Sequence, residues 1–233
     1  MTSSAAYVSA DRVVGRQRPS HCWVPPRAAS WGPEAVELAA LSGLIADAWQ
    51  KFVVEGAMGV REDGRWSAFE VGLLVPRQNG KGGVLEIREL AGLFLLPEQL
   101  LIHSAHEFKT SLAAFRRMLR LIESAPDLDR QVMRVSRSHG EEGIELRDGS
   151  RIQYQTRTAA GGRGLTGDLV VLDEAMKIAQ AAVSALMPAL RAVPNPQIWY
   201  TGSAVDQATM DHGLVFAGVR KRGLASAAAA QAA

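Results

Sequence analysis

Lys81 invites a chemical reading because of its neighbours Val75, Pro76, Arg77, Gln78, Asn79, Gly80, Gly82 and Gly83. A glycine-bearing turn that leaves a strand and enters a helix points backbone N–H groups and a positive helix end at an anion. Pro76, Arg77, Gln78, Asn79 and Gly80 would form such a turn, Lys81 would reach the β and γ phosphates of a nucleotide, and residues 84–95 would form the helix. Two positions depart from the pattern GxxxxGK[ST]: Val75 stands at the first glycine, and Gly82 replaces the hydroxyl residue that ordinarily ligates Mg2+. Taken alone, Lys81 reads equally well as a surface cation in a glycine turn.

A second group changes the balance. The apolar run 169–172 reads as a buried strand and ends in Asp173 and Glu174. Carboxylates leaving the C-terminal end of a parallel strand stand where open α/β sheets bind ligands. Asp173 would hold Mg2+ and Glu174 would polarise an attacking water. The competing reading is an acidic pair at the start of the next helix, favoured by its dipole. Loop and carboxylate pair together are far more specific than either.

The elements that must position these groups alternate between strand and helix. Apolar residues Val36, Leu38, Leu41, Leu44, Ile45 and Trp49 predict a helix from Glu34 ending near Trp49 and Gln50, continued or restarted over 51–58. Residues 68–75 are apolar at nearly every position, as in a central parallel strand buried on both faces. Residues 99–105 form a second strand, 107–124 an amphipathic helix, 169–172 a third strand, 179–190 a helix and 197–201 a fourth strand. Between them, 134–155 reads as an antiparallel excursion, with 143–146 and 151–154 flanking the turn pair Asp148 and Gly149. This predicts an α/β fold with a mainly parallel central sheet flanked by helices.

The chain's 233 residues, 47% hydrophobic and 21% charged, suffice for one domain plus a short arm. Residues 1–30, rich in Ser, Ala, Pro and Arg, read as an arm with little structure of its own. A nucleotide-binding domain is expected over 31–218 and a basic, alanine-rich tail, ragged at its end, over 219–233. No apolar run approaches the roughly 18 to 20 residues of a membrane span, and no secretory signal is evident, so a cytoplasmic protein is expected. One cysteine, Cys22, excludes an internal disulfide and reads as an incidental thiol. His103, His106 and His139 lack metal-ligand spacing and read as structural or incidental. A net charge of +2 neither demands nor excludes a polyanion. Any such contact needs a local patch, such as Arg116, Arg117 and Arg120, or Arg130, Arg134 and Arg137, or Arg220, Lys221 and Arg222, each of which also reads as a solvated face.

These residues resemble the large terminase subunits of tailed bacteriophages. The run VPRQNGKG from Val75 is similar to their variant Walker A loop, and LVVLDEA from Leu169 to their Walker B strand. YTGSA from Tyr200 resembles the coupling motif, and AWQ ending at Gln50 the adenine-contacting motif. SAHEFKTS from Ser104 and GGRGLTGD from Gly161 resemble the segments found at the corresponding places. The resemblance runs from about residue 31 to 216 and implies a P-loop NTPase of the RecA-like, additional-strand class, with ATP and Mg2+ as cofactors. It implies that Gln50 pairs with adenine, that Arg77 contacts the γ phosphate, and that Thr201, Gly202 and Ser203 hold water or sense that phosphate. An arginine supplied by a neighbouring subunit is a further feature of such motors, with Arg157 and Arg163 as candidates. Outside the family context Gln50, Arg77 and the Thr201 turn read as ordinary helix-end, loop and turn residues.

The implied activity is ATP hydrolysis driving double-stranded DNA into a procapsid, in the cytoplasm of a bacterial host. The implied partners are DNA, a small terminase subunit, a portal protein and further copies in a ring. After the fourth strand only Asp206 and Asp211 precede the basic cluster, so the acidic nuclease domain common in this family is not expected. Two rival readings stay open: a catalytically impaired remnant that binds nucleotide or DNA, motivated by Gly82, and a helicase-like P-loop ATPase.

Overall fold

The core strands alternate between two hydrophobic clusters. Leu101, Leu169, Val171 and Trp199 face one cluster, while Ile102, Val170, Leu172, Ile198 and Tyr200 face the other. Successive side chains of a strand point to opposite faces, so strands apolar throughout must be covered on both sides. The computed structural model describes residues 17–138, 140, 142–157, 167–204 and 213–232. In chain order the elements are β1 (Ala29–Ser30), α1 (Gly32–Leu41), α2 (Ala48–Ala57), β2 (Gly59–Val60), β3 (Glu70–Leu74), α3 (Lys81–Phe94), β4 (Leu100–Ala105), α4 (Phe108–Ser124), α5 (Pro126–Asp129), β5 (Val132–Ser136), β6 (Glu142–Leu146), β7 (Arg151–Thr156), β8 (Leu169–Leu172), α6 (Gln180–Leu190), β9 (Gln197–Gly202) and α7 (Leu214–Ala232).

Strands β3 to β9 form a seven-stranded sheet in the order β3-β9-β8-β4-β7-β6-β5. The pairs from β3 through to β7 are parallel, and β7-β6 and β6-β5 are antiparallel. The expected α/β class is therefore borne out. Strand β9 stands between the strand that enters the Lys81 loop and the strand that ends at Asp173, which is the additional-strand arrangement. Helix α3 lies deepest, with residues from Gly83 to Leu93 buried without exception, including Glu86, Arg88 and Glu89. Arg88, fully buried, is neutralised by Glu98 through two hydrogen bonds of 2.9 and 2.5 Å and also donates to Gln197 at 3.0 Å. Charge buried to this depth survives because a carboxylate pairs with it and all three guanidinium nitrogens donate to acceptors.

Three expectations change. The helix predicted from Glu34 to about Gln50 is two helices, because Gly43 takes a φ of 79° beyond the end of α1 and Asp47 starts α2. Apolar periodicity ran across this break, and Leu41 and Ile45 are exposed. The strand expected at the centre of the sheet, β3, lies at its edge and, among the described residues, pairs with β9 alone. Its sequence remains apolar because α7 packs on it: a Cβ added at Gly72 would lie 2.7 Å from Val219 Cγ1. The tail is helix α7 rather than a ragged end, and the boundary expected at residue 218 falls inside it. Val215, Phe216 and Val219 enter the second cluster, and Arg222 pairs with Glu70 at 2.6 Å. Within the arm, residues 17–28 form no helix or strand, and Cys22 is exposed.

Candidate nucleotide site

Parallel strands present their C-terminal ends on one edge of the sheet, so the segments after β3, β4, β8 and β9 converge there. Val75 N–H still bonds Gly202 O at 3.0 Å, which ties the start of the loop to the end of β9. From there Pro76, Arg77, Gln78, Asn79 and Gly80 are exposed, and Gln78 and Gly80 take left-handed φ values of 60° and 77°. Gly80 is the N-cap of α3, and Lys81 is the first residue of that helix. The loop thus ends with backbone N–H groups at the start of a buried helix, the geometry that favours an anion.

Lys81 Nζ lies 3.7 Å from Asp173 Oδ1. Asp173 Oδ1 also accepts from Thr201 Oγ1 at 2.8 Å and from the Glu174 N–H at 2.9 Å. The three contacts converge on a single carboxylate oxygen. Thr201 is fully buried and braces Asp173 from the neighbouring strand. Gly202 is closely packed, since a Cβ there would lie 3.1 Å from both Met176 Sδ and Phe216 Cε1. Ser203 is buried, and its hydroxyl has no hydrogen-bond partner among the described residues.

Glu174 turns the chain sharply, with φ 53° and ψ 44°. A side-chain-bearing residue in this left-handed region costs about 1–2 kcal/mol. Arg157 offsets that cost. Its guanidinium donates to the carbonyls of Ser104 and Asp173, and to Glu174 O at 3.3 Å. Burial lowers the Arg157 pKa to about 10, against the pull of Asp173 and Glu174. Arg157 therefore supports the acidic turn of its own chain. Arg163, the other arginine candidate, lies outside the described residues, as do Asp206 and Asp211.

Gln50 connects α2 to the loop. Its Oε1 accepts the Asp47 N–H at 2.8 Å, and its Nε2 donates to Gly80 O at 2.8 Å. The amide lies over Gly83 as well, where an added Cβ would be 2.8 Å from Nε2. Arg77, in contrast, is exposed and forms no ion pair among the described residues.

The sequence reading passed over two charged residues at this site. Lys177 Nζ is 3.8 Å from Glu174 Oε1 and donates to Glu107 Oε1 at 3.1 Å. The i,i+3 spacing of Glu174 and Lys177 was a readable signal, but Glu107 arrives from the end of β4 and only the fold reveals it. Another neighbour is His103, read as structural or incidental. It is buried in a hydrogen-bonded group with Glu89 and Tyr154 beneath the loop helix.

The donor set suits a nucleotide-borne Mg2+. Among the described residues no group of three or more His, Cys, Asp or Glu side chains could hold a metal ion. Mg2+ usually binds through one or two carboxylates together with substrate phosphates and water, and Asp173 could supply one such carboxylate. Glu174 Oε2 and the hydroxyls of Ser104 and Ser203 are buried polar atoms without partners among the described residues. Among the described residues no helix is long and apolar enough to cross a membrane.

No family model matches the chain, and no curated protein matches it in sequence. Solved structures do match its fold. The HK97 bacteriophage large terminase gives a TM-score of 0.64 at 17% identity, over 83% of this chain and 42% of the terminase. A mutant of the Thermus phage P74-26 large terminase ATPase domain gives a TM-score of 0.50 at 18% identity, over 62% of this chain and 64% of that one. The chain thus spans less than half of the HK97 protein. At such identities the likeness is one of fold, and over most of its length this chain is folded like the ATPase domain of a phage large terminase.

Proposed function

We propose that the chain is the ATPase motor domain of a phage large terminase subunit, hydrolysing ATP to drive double-stranded DNA into a procapsid. The observation that carries this reading is the meeting of Lys81 and Asp173 at 3.7 Å, with Glu174 on a left-handed turn beside them. Lys81 and the backbone N–H groups at the start of α3 bind the β and γ phosphates, so that the ammonium leaves Asp173 for phosphate oxygens. Asp173, braced by Thr201, would hold Mg2+, which when bound would supply charge neutralisation on the phosphates. Glu174 orients the attacking water and takes its proton at the carboxylate. Gln50 contacts adenine from a position already fixed against the loop. Arg77 contacts the γ phosphate, and Arg163 serves a neighbouring copy in a homo-oligomeric ring.

By the same reading its partners are double-stranded DNA, a small terminase subunit and a portal protein, and its setting is the cytoplasm of a bacterial host. A nucleotide-binding remnant is the second reading, favoured by Gly82, which leaves the metal without the usual hydroxyl ligand. The test is Mg2+-dependent ATP hydrolysis by wild type, Lys81→Ala and Glu174→Ala, with and without double-stranded DNA. Activity lost in both variants and altered by DNA supports the motor. Equal activity in all three removes the assigned site, and nucleotide binding without turnover supports the remnant.

A further inference from the structure

Lys177 and Glu107 form a charged chain that ends at the proposed general base. Lys177 closes the single turn Ala175–Lys177 directly after Glu174, and the i,i+3 spacing brings its ammonium to 3.8 Å from Glu174 Oε1. That separation is long for an ion pair. The same ammonium donates to Glu107 Oε1 at 3.1 Å, so its closer partner is the carboxylate at the N-cap of α4. Glu107 Oε2 in turn pairs with Lys109 at 2.8 Å, which leaves Oε1 for Lys177. Lys109 and Lys177 hold the Glu107 carboxyl far below its ordinary range, at about 2, so it stays ionised under working conditions. Glu174 Oε2 meanwhile is buried without a partner among the described residues.

A carboxylate that must accept a proton is impaired when an ammonium closes on it, because its lone pairs are occupied and its charge is neutralised. We propose that Glu107 is a positioning residue that holds Lys177 away from Glu174, leaving the base open to water. This inference rests on the assignment of Glu174 as general base. Without the Glu107 charge, Lys177 would close on Glu174 and turnover would fall while nucleotide binding remained. Since Glu107 follows β4 and Lys177 follows β8, a small displacement between these strand ends would change which carboxylate keeps the lysine.

Steady-state ATP hydrolysis by the full chain tests this with Glu107→Gln, Lys177→Met and the double variant. Glu107→Gln is expected to lower kcat by about tenfold with KM changed less than about twofold. Lys177→Met is expected to keep or exceed the wild-type kcat, and the double variant to match Lys177→Met, because no lysine remains to restrain. Wild-type kcat in Glu107→Gln would overturn the proposal, as would a double variant whose loss is the product of the two single losses. Hydrolysis insensitive to Glu174→Ala would instead overturn the assignment of the base. If wild type binds ATP without turnover, carboxyl-carbon NMR titration of Glu107 decides the relay. A strongly depressed value that rises in Lys177→Met supports it, and an ordinary value in wild type overturns it.

Discussion

The side-chain amide of Gln50 donates to the carbonyl of Gly80 at 2.8 Å, while its oxygen accepts the backbone N–H of Asp47 at the same distance. One side chain thereby caps α2 and fixes the last turn of the phosphate loop. Gln50→Glu keeps an acceptor for Asp47 but removes the donor to Gly80. It is expected to reduce ATP affinity strongly while stability falls by only about 1 kcal/mol. Gln50→Ala removes both bonds and is expected to cost about 1–2 kcal/mol, read from urea midpoints. Equal losses of affinity and stability in both variants would separate Gln50 from the loop.

Gly82 is the departure from the usual loop pattern, and the fold has room for the residue that is missing. An added Cβ meets nothing closer than Glu86 Oε1 at 3.8 Å and Arg117 at 3.9 Å. Gly82→Ser should therefore fold normally, gaining about 0.5 kcal/mol from helix propensity. Its hydroxyl is expected to lower the Mg2+ concentration needed for half-maximal hydrolysis, as a Mg2+ titration of the two proteins would show.

Arg157 is predicted to act within its own subunit. Replacing it by Met removes its donors to the carbonyls of Ser104, Asp173 and Glu174, of which Ser104 O keeps the Asp173 N–H and Glu174 O the Lys177 N–H, at a cost of about 1–3 kcal/mol. Mixing Arg157→Met chains with Glu174→Ala chains should then give no rescued ATPase, since neither subunit has an intact acidic turn. Rescue in the mixture would mean that the arginine is shared between subunits.

The buried group beneath the loop helix gives a pH dependence. Burial pulls the His103 pKa down, but the Glu89 carboxylate, 2.6 Å from Nδ1, raises it further, and the net shift is upward from 6.5. A raised folded-state value means that the contribution to stability is complete below the unfolded value and is lost as pH rises through the folded one. Unfolding free energy should therefore decline as pH rises from about 6.5, the ordinary histidine value. His103→Gln should flatten that slope in urea titrations run at several pH values.

Residues with local signals were the legible ones. The turn at Asp148 and Gly149, the fully apolar β8, and the placement of Lys81 at a helix start and of Asp173 after a strand end all follow from period, turn chemistry and charge. The edge position of β3 was not legible, because α7 covers it and keeps its sequence as apolar as that of a central strand. The split between α1 and α2 was overlooked because the apolar period continues through Leu41 and Ile45 into solvent, although Gly43, Asp47 and Gln50 carried the signal. The bond from the Thr201 hydroxyl to Asp173 crosses between neighbouring strands and had no local signal. Contacts between strand ends distant in sequence, such as Glu107 with Lys177, depend on strand order and have no local signature.

The central claim is that residues 75–83 bind the phosphates of ATP through Lys81. Isothermal titration calorimetry of Mg·ATPγS against wild type and Lys81→Ala measures this directly. Saturable binding by wild type and a loss of at least about tenfold in Lys81→Ala are expected, since a charge-assisted contact of about 1.5–3 kcal/mol is removed. Equal affinity in the two proteins, or no binding by a folded wild type, would contradict it.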